Sequence, residues 1–232
     1  MRTASRQVMD DLRSVADPSR RPGMARVGIT IDRALGVSIP NCRRLARRHR
    51  GDHALALDLW TTKIHEARIL ASMVDDPSQV TVEQMEAWAA DFDSWDLCDQ
   101  VCGNLFTETP HSFDRARAWV RRDEEFVKRA GFSIVAEHAA RARDDHDDAF
   151  WLGWLPEIER GAVDERNYVK KAVNWALRQI GKRDLALNTA AIDTGERLAA
   201  TPSRSARWIA RDALRELRSD GVQARVRAQA PR

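Results

Sequence analysis

The 232-residue chain has no apolar run long enough to cross a bilayer. Its first residues, MRTASRQVMD, start positive but lack an apolar h-region, so no secretory signal and no membrane anchor are expected. Cysteine is scarce. Cys42, Cys98 and Cys102 form an odd, sparse set, which argues against a disulfide framework and for reduced thiols in a cytoplasmic protein. Cys98 and Cys102 lie one turn apart, but no further cysteine or nearby histidine completes a zinc set, so core thiols are the simpler reading. "IHEAR" (64–68) lacks the second histidine of a zinc protease motif. There is no glycine-rich phosphate loop and no nucleophile elbow. "DDHDD" (144–148) has metal-ligand chemistry, but its place at a helix start reads as a solvated run. Strand-like alternation is almost absent, and lysines number 5 against 33 arginines.

What is present is a soluble, globular composition, 43% hydrophobic and 31% charged. The net charge of +3 hides a strong asymmetry. Residues 1–50 carry 12 arginines and 4 acids; residues 51–120 carry 4 bases and 13 acids; residues 160–232 carry 16 bases and 8 acids. Two basic ends around an acidic middle suit a polyanion held at some surfaces and not others; solvated charged faces are the bland alternative. Apolar residues recur at helical spacing through the chain, in segments separated by breaks such as "DDPSQVT" (75–81) and Pro202. Ser38 precedes an early-helical Pro40, and Asp123 and Asp164 stand where N-caps are expected. Short helices in pairs, about 35–45 residues per pair, indicate an all-α curved α-solenoid of HEAT-like helix pairs. An irregular helical bundle is the alternative. Residues 1–24 read as a flexible basic segment or a first helix, 25–220 as the repeat domain, and 221–232 as a flexible tail.

Helical-wheel arithmetic separates packing from display on three helices. In "RNYVKKAVNWALRQIGK" (166–182), Val169, Ala172, Val173, Ala176 and Ile180 make the buried stripe. Trp175 shares the far face with Tyr168, Lys171, Arg178 and Lys182, an aromatic–cation set that suits nucleic acid or, alternatively, packs on a neighbouring helix. In "SWDLCDQVCGNLF" (94–106), Leu97, Cys98, Val101 and Leu105 form the stripe, and Trp95 and Asp99 lie about 40° apart on its flank. A helix N-terminus that favours acids accounts for Asp93 and Asp96 and poorly for Asp99, a turn further in. In "DEEFVKRAGFSIVAEH" (123–138), Val127, Ala130 and Ile134 set the stripe and Arg129 stands off it, as a phosphate contact or an ion-pair partner of Glu125.

"SWDLCD", "FVKRAGF" and "NYVKKAVNWALRQIGK", in this order, resemble the AlkD-like DNA alkylation repair family, and the likeness extends from about residue 27 to 218, through "GVSIPNCRRLARRH" and "LDLWTTKIHEARILASMV". The resemblance implies a curved stack of HEAT-like helix pairs with a basic groove for duplex DNA. It implies a glycosylase that releases N3- and N7-alkylated purines without metal or cofactor. The family's Trp, Asp, Arg, Trp pattern falls on Trp95, Asp99, Arg129 and Trp175. Asp99 would then stabilise a cation-like sugar and orient water, with the two tryptophans beside the lesion. Arg129, Arg178 and Lys171 would hold phosphates, with Lys182 and Tyr168 on the same DNA-facing side. The expected partner is duplex DNA with alkylated purines, bound by a monomer. The rival reading is a non-catalytic HEAT-like module that binds damaged or branched DNA or a protein.

Overall fold

The computed structural model describes residues 3–141 and 146–229, and within these every regular element is helical. The chain divides into two compact units, residues 1–112 and 113–232. In the first, α1 (Thr3–Ser14), α2 (Arg21–Arg26), α3 (Ile39–Ala46), α4 (His53–Thr61), α5 (His65–Val74), α6 (Val82–Ala90) and α7 (Trp95–Asn104) follow in order. α8 (Ser112–Trp119) opens the second, followed by α9 (Glu125–Ala140), α10 (Asp148–Leu152), α11 (Leu155–Ala162), α12 (Asn167–Ile180), α13 (Leu185–Ala199), α14 (Arg204–Leu217) and α15 (Asp220–Ala228).

Short polar side chains start many of these helices. Ser38, Asp52, Thr81, Asp147, Asp184 and Ser203 each accept a first-turn backbone N–H, as at Asp184 (2.8 Å from Leu187 N). Asp123 and Asp164, expected as caps, are not. The cap positions of α9 and α12 fall to Glu124 and Arg166, neither with a side-chain cap bond. Asp164 lies two residues before α12's cap, where its carboxylate accepts from Arg166 N (3.1 Å) and pairs with Lys128 and Arg166.

Alternate helices share a layer, the hallmark of HEAT-like pairs. In the first unit α3 packs on α5 and α5 on α7, while α4 backs α5. In the second, α9 packs on α12 and α12 on α14, with α11 and α13 forming the other layer. The N-terminal stretch is a packed first helix: Val8, Met9 and Leu12 of α1 are buried. Past α1, Asp17 N donates to Leu35 O (3.1 Å), and a Cβ on Gly36, whose φ is +80°, would sit 2.0 Å from the Asp17 carbonyl oxygen. Only glycine fits there. At the C-terminus, the stretch expected as a tail contains α15; Val226 is buried and Gln223 donates to Asn188 Oδ1 (2.9 Å).

Candidate functional site

The eight residues singled out in the sequence divide between the units, Trp95 and Asp99 in the first and the others in the second. On α7 the stripe Leu97, Cys98, Val101 and Leu105 is buried, as the wheel expects, and Trp95 and Asp99 sit half-buried on the flank. Ser94 holds the N-cap position, but its hydroxyl turns to the Asp93 carboxylate (3.3 Å) instead of a backbone N–H. The segment after α2 folds over this end of the helix. The Trp95 indole N–H donates to Val27 O (2.9 Å), and the Thr30 hydroxyl donates to Asp93 O (2.9 Å). The bond to Val27 O fixes the indole against the backbone of this segment.

The acids around Trp95 have structural partners. Asp91 accepts from Arg68 (2.8 Å) and from the Trp60 indole (2.9 Å). Asp96 meets the Nε2 of buried His65 at 2.9 Å. Burial pulls the His65 pKa down, but the hydrogen bond and charge of Asp96, with the charges of Glu66 and Asp93, outweigh it and raise the imidazole above its ordinary value. A cleft of about 150 Å3 opens beside this pair, lined by Thr30, Arg33, Lys63, His65 and Asp93.

On α12 the predicted stripe is buried and Trp175 is half-exposed, with Lys171 exposed one turn before it. Arg178 and Lys182 share this face of the chain but not its freedom. Glu216 of α14 pairs with both, Lys182 at 2.8 Å, and Asp212 lies 3.9 Å from Arg178. Burial favours the neutral acid at Glu216, yet Lys182 and Arg178 hold its pKa below the usual carboxylate range. The Tyr168 ring lies 5.6 Å from Phe126.

Arg129 corrects the wheel. It is 5% exposed, and its Nη1 donates to Tyr168 O at 2.6 Å. α9 is enclosed almost all round from Val127 to Ala136, so it has no open face at Arg129. α12 packs along α9 and brings the Tyr168 carbonyl to the guanidinium, while on the opposite face a Cβ on Gly131 would meet Val120 at 2.8 Å and the Ala116 carbonyl at 3.0 Å. The structure also shows an aromatic–cation contact that the wheels do not predict. Lys170 Nζ stands 4.9 Å over the Trp208 ring on α14; its only sequence signal is a tryptophan among the arginines of "SRSARWIARD".

A family model described as DNA alkylation repair enzyme matches residues 8–217. The chain belongs to this DNA alkylation repair family. Among curated proteins it is similar to uncharacterized proteins of Listeria monocytogenes and Listeria innocua, each 24% identical over 106 residues. These matches take in 44% of this chain and 47% of the relative, so the chain spans about half the length of the curated relatives it matches. Among solved structures, one described as a new family of proteins related to the HEAT-like repeat DNA glycosylases with affinity for branched DNA structures superposes with a TM-score of 0.79. That match is 16% identical and covers 97% of this chain and 98% of the other, so the two share the HEAT-like fold.

In this DNA alkylation repair family member the remaining polar motifs have structural duties. All three polar residues of "IHEAR" are buried. His65 meets Asp96; the Glu66 carboxylate accepts from Leu35 N (2.8 Å), Gly36 N (2.7 Å) and Val37 N (3.2 Å); Arg68 stacks 4.9 Å over Trp60. The three thiols are buried, and burial, helped by the charge of Glu66, pushes Cys42 up to about 12. Of "DDHDD", residues 144 and 145 lie outside the described residues; Asp147 caps α10, and His146 sits 3.9 Å from the Phe150 ring. Among the described residues, no three His, Cys, Asp or Glu side chains stand together as a metal set. Among them, too, no helix is long and apolar enough to cross a membrane.

Proposed function

We propose that the protein is a monofunctional DNA glycosylase that hydrolyses the N-glycosidic bond of cationic N3- and N7-alkylated purines in duplex DNA, as a monomer in the cytoplasm. The observation that carries this reading is the pair Trp95 and Asp99, one turn apart on the half-exposed flank of an otherwise buried helix. A purine alkylated at N3 or N7 is positively charged, so it leaves as a neutral molecule and needs no general acid. The C1′–N bond breaks, its electron pair neutralises the ring, and the sugar becomes oxocarbenium-like. Water then attacks C1′ and gives up a proton. A fixed carboxylate serves both stages, and Asp99 has that role: it stabilises the cationic sugar and orients or deprotonates the water. The Trp95 ring offers a π face to the cationic base, a contact worth about 0.5–2 kcal/mol.

In the second unit, Trp175 offers a further π face to the DNA and Lys171 a phosphate contact. Arg178 and Lys182 are partly neutralised by Glu216, so they contribute less to the backbone than Lys171 does. Arg129, being buried, acts by holding the start of α12 at Tyr168. This supports a division of labour in which exposed cations bind and buried ones position.

The test is release of free bases from methylated duplex DNA, separated by chromatography. Release of 7-methylguanine or 3-methyladenine above the spontaneous rate supports the reading. Binding without release would leave the alternative, a non-catalytic module for branched or damaged DNA. The fold shared with a family described as having affinity for branched DNA favours that second reading.

A further inference from the structure

The excess charge of residues 1–50 is concentrated in one place. Arg43, Arg44, Arg47, Arg48 and Arg50 fall within eight residues, at the end of α3 and the turn beyond it, and all five are exposed. Elsewhere arginines commonly meet a carboxylate, as Arg121, Arg166, Arg197, Arg215 and Arg218 do. Among the described residues these five meet none; the polar contact of the set is Arg44 with the Asn41 side-chain oxygen at 3.5 Å. The negative end of the α3 dipole favours a cation or two in its last turn. It does not account for five guanidinium groups gathered without an ion-pair partner.

Their position separates them from Trp95. Arg43, Arg47 and Arg50 line one wall of a cleft of about 560 Å3 whose other walls include Met73, at the end of α5, and Asn104, at the end of α7. The C-terminal ends of all three helices therefore meet here. Trp95 opens α7, about 15 Å away along a ten-residue helix. Asp75, Asp76 and Glu108 also line the cleft and repel anions from it, which leaves the outward face of the arginines as the contact. Arg43 and Arg47, one turn apart, stand about 6 Å from each other along the helix, a step comparable to one or two phosphates on a DNA strand. Guanidinium groups suit phosphates through paired N–H donors.

We propose that this arginine face of α3 binds the phosphodiester backbone of double-stranded DNA, as a second contact separate from the Trp95–Asp99 end of the layer. The proposal rests on the DNA-binding reading above. It makes the contact independent of sequence and of lesion, because phosphates carry neither signal.

The full chain carrying Arg43→Gln, Arg47→Gln and Arg50→Gln is titrated with unmodified duplex over a series of salt concentrations. Every cation taken away from a phosphate lowers the slope of log K against log salt by about 0.9, so the slope is expected to fall by about 2 to 3. A charge-matched control, Arg197→Gln, Arg215→Gln and Arg218→Gln, removes arginines that already have carboxylate partners, and its slope is expected to change by less than about 1. All six residues are exposed, and thermal melting checks that both variants fold. An unchanged slope in the α3 variant, or an equal loss in both, overturns the proposal while DNA binding by the wild type stands. Failure of the wild type to bind any duplex overturns the DNA-binding reading, and this proposal with it.

Discussion

The indole N–H of Trp95 donates to the carbonyl of Val27, 68 residues earlier, at 2.9 Å. The segment carrying that carbonyl is itself held: Arg21 donates to Ile31 O (3.0 Å), His65 N to Arg33 O (3.2 Å), and the Glu66 carboxylate takes three N–H groups at 35–37. The ring of Trp95 is thus set by backbone before any ligand arrives. Trp95→Phe keeps a π face and loses this bond, at a cost of about 1 kcal/mol in stability. Base release from methylated duplex is expected to fall several-fold with Trp95→Phe and further with Trp95→Ala. Equal rates for wild type and Trp95→Ala would remove the ring from the mechanism.

Asp99→Asn preserves shape and removes charge. Single-turnover base release is expected to drop by about two orders of magnitude or more, the scale of losing one preorganised electrostatic group. Duplex affinity should stay within a few-fold. Near-normal excision by this variant would exclude the carboxylate from the chemistry.

Arg129 and Lys171 should part company. Arg129→Ala deletes a buried guanidinium and leaves the Tyr168 carbonyl without that donor, so a loss of about 2 kcal/mol or more in unfolding free energy is expected. Lys171→Ala removes an exposed cation, with stability nearly unchanged and a salt slope about 1 smaller. Paired melts and salt titrations decide between these roles; a stable Arg129→Ala protein with a reduced slope would restore Arg129 to the DNA-contacting set.

The His65–Asp96 pair makes stability depend on pH. The folded protein holds the His65 proton more tightly than the unfolded chain does, because the pKa is raised. The pair's contribution is fully present below the unfolded value near 6.5 and is lost as pH rises through the higher folded value. Relative to His65→Gln, the wild type should therefore lose melting temperature as pH is raised from about 6 upward. A difference that grows with pH would mean that His65 is neutral in the fold.

Selectivity should follow the charge of the lesion. Asp99 is an anion assigned to the sugar, and the proposed mechanism includes no acid to protonate a neutral leaving base. Duplexes with 7-methylguanine or 3-methyladenine are expected as substrates, and duplexes with uracil or hypoxanthine are not. Efficient uracil release at equal enzyme concentration would require an acid catalyst and overturn the mechanism.

The sequence by itself determined the helical class, the pairing of short helices, and the family, whose likeness from about 27 to 218 agrees with a family match over 8–217. It also determined which faces of α7 and α12 are buried, because a 3.6-residue period is local and a stripe such as Val169, Ala172, Val173, Ala176 and Ile180 needs no knowledge of its neighbour. Only the tertiary structure decided what meets the remaining faces. Glu216 lies 34 and 38 residues from the cations it neutralises, and Val27 lies 68 from the indole it holds. Arg129 reads as displayed on an isolated wheel and is buried in the fold, because α12 packs along α9 and sets the Tyr168 carbonyl, 39 residues on, against it. A wheel knows one helix; ion pairs, close approaches and anchoring carbonyls depend on the register between helices, which arises only when the layers pack.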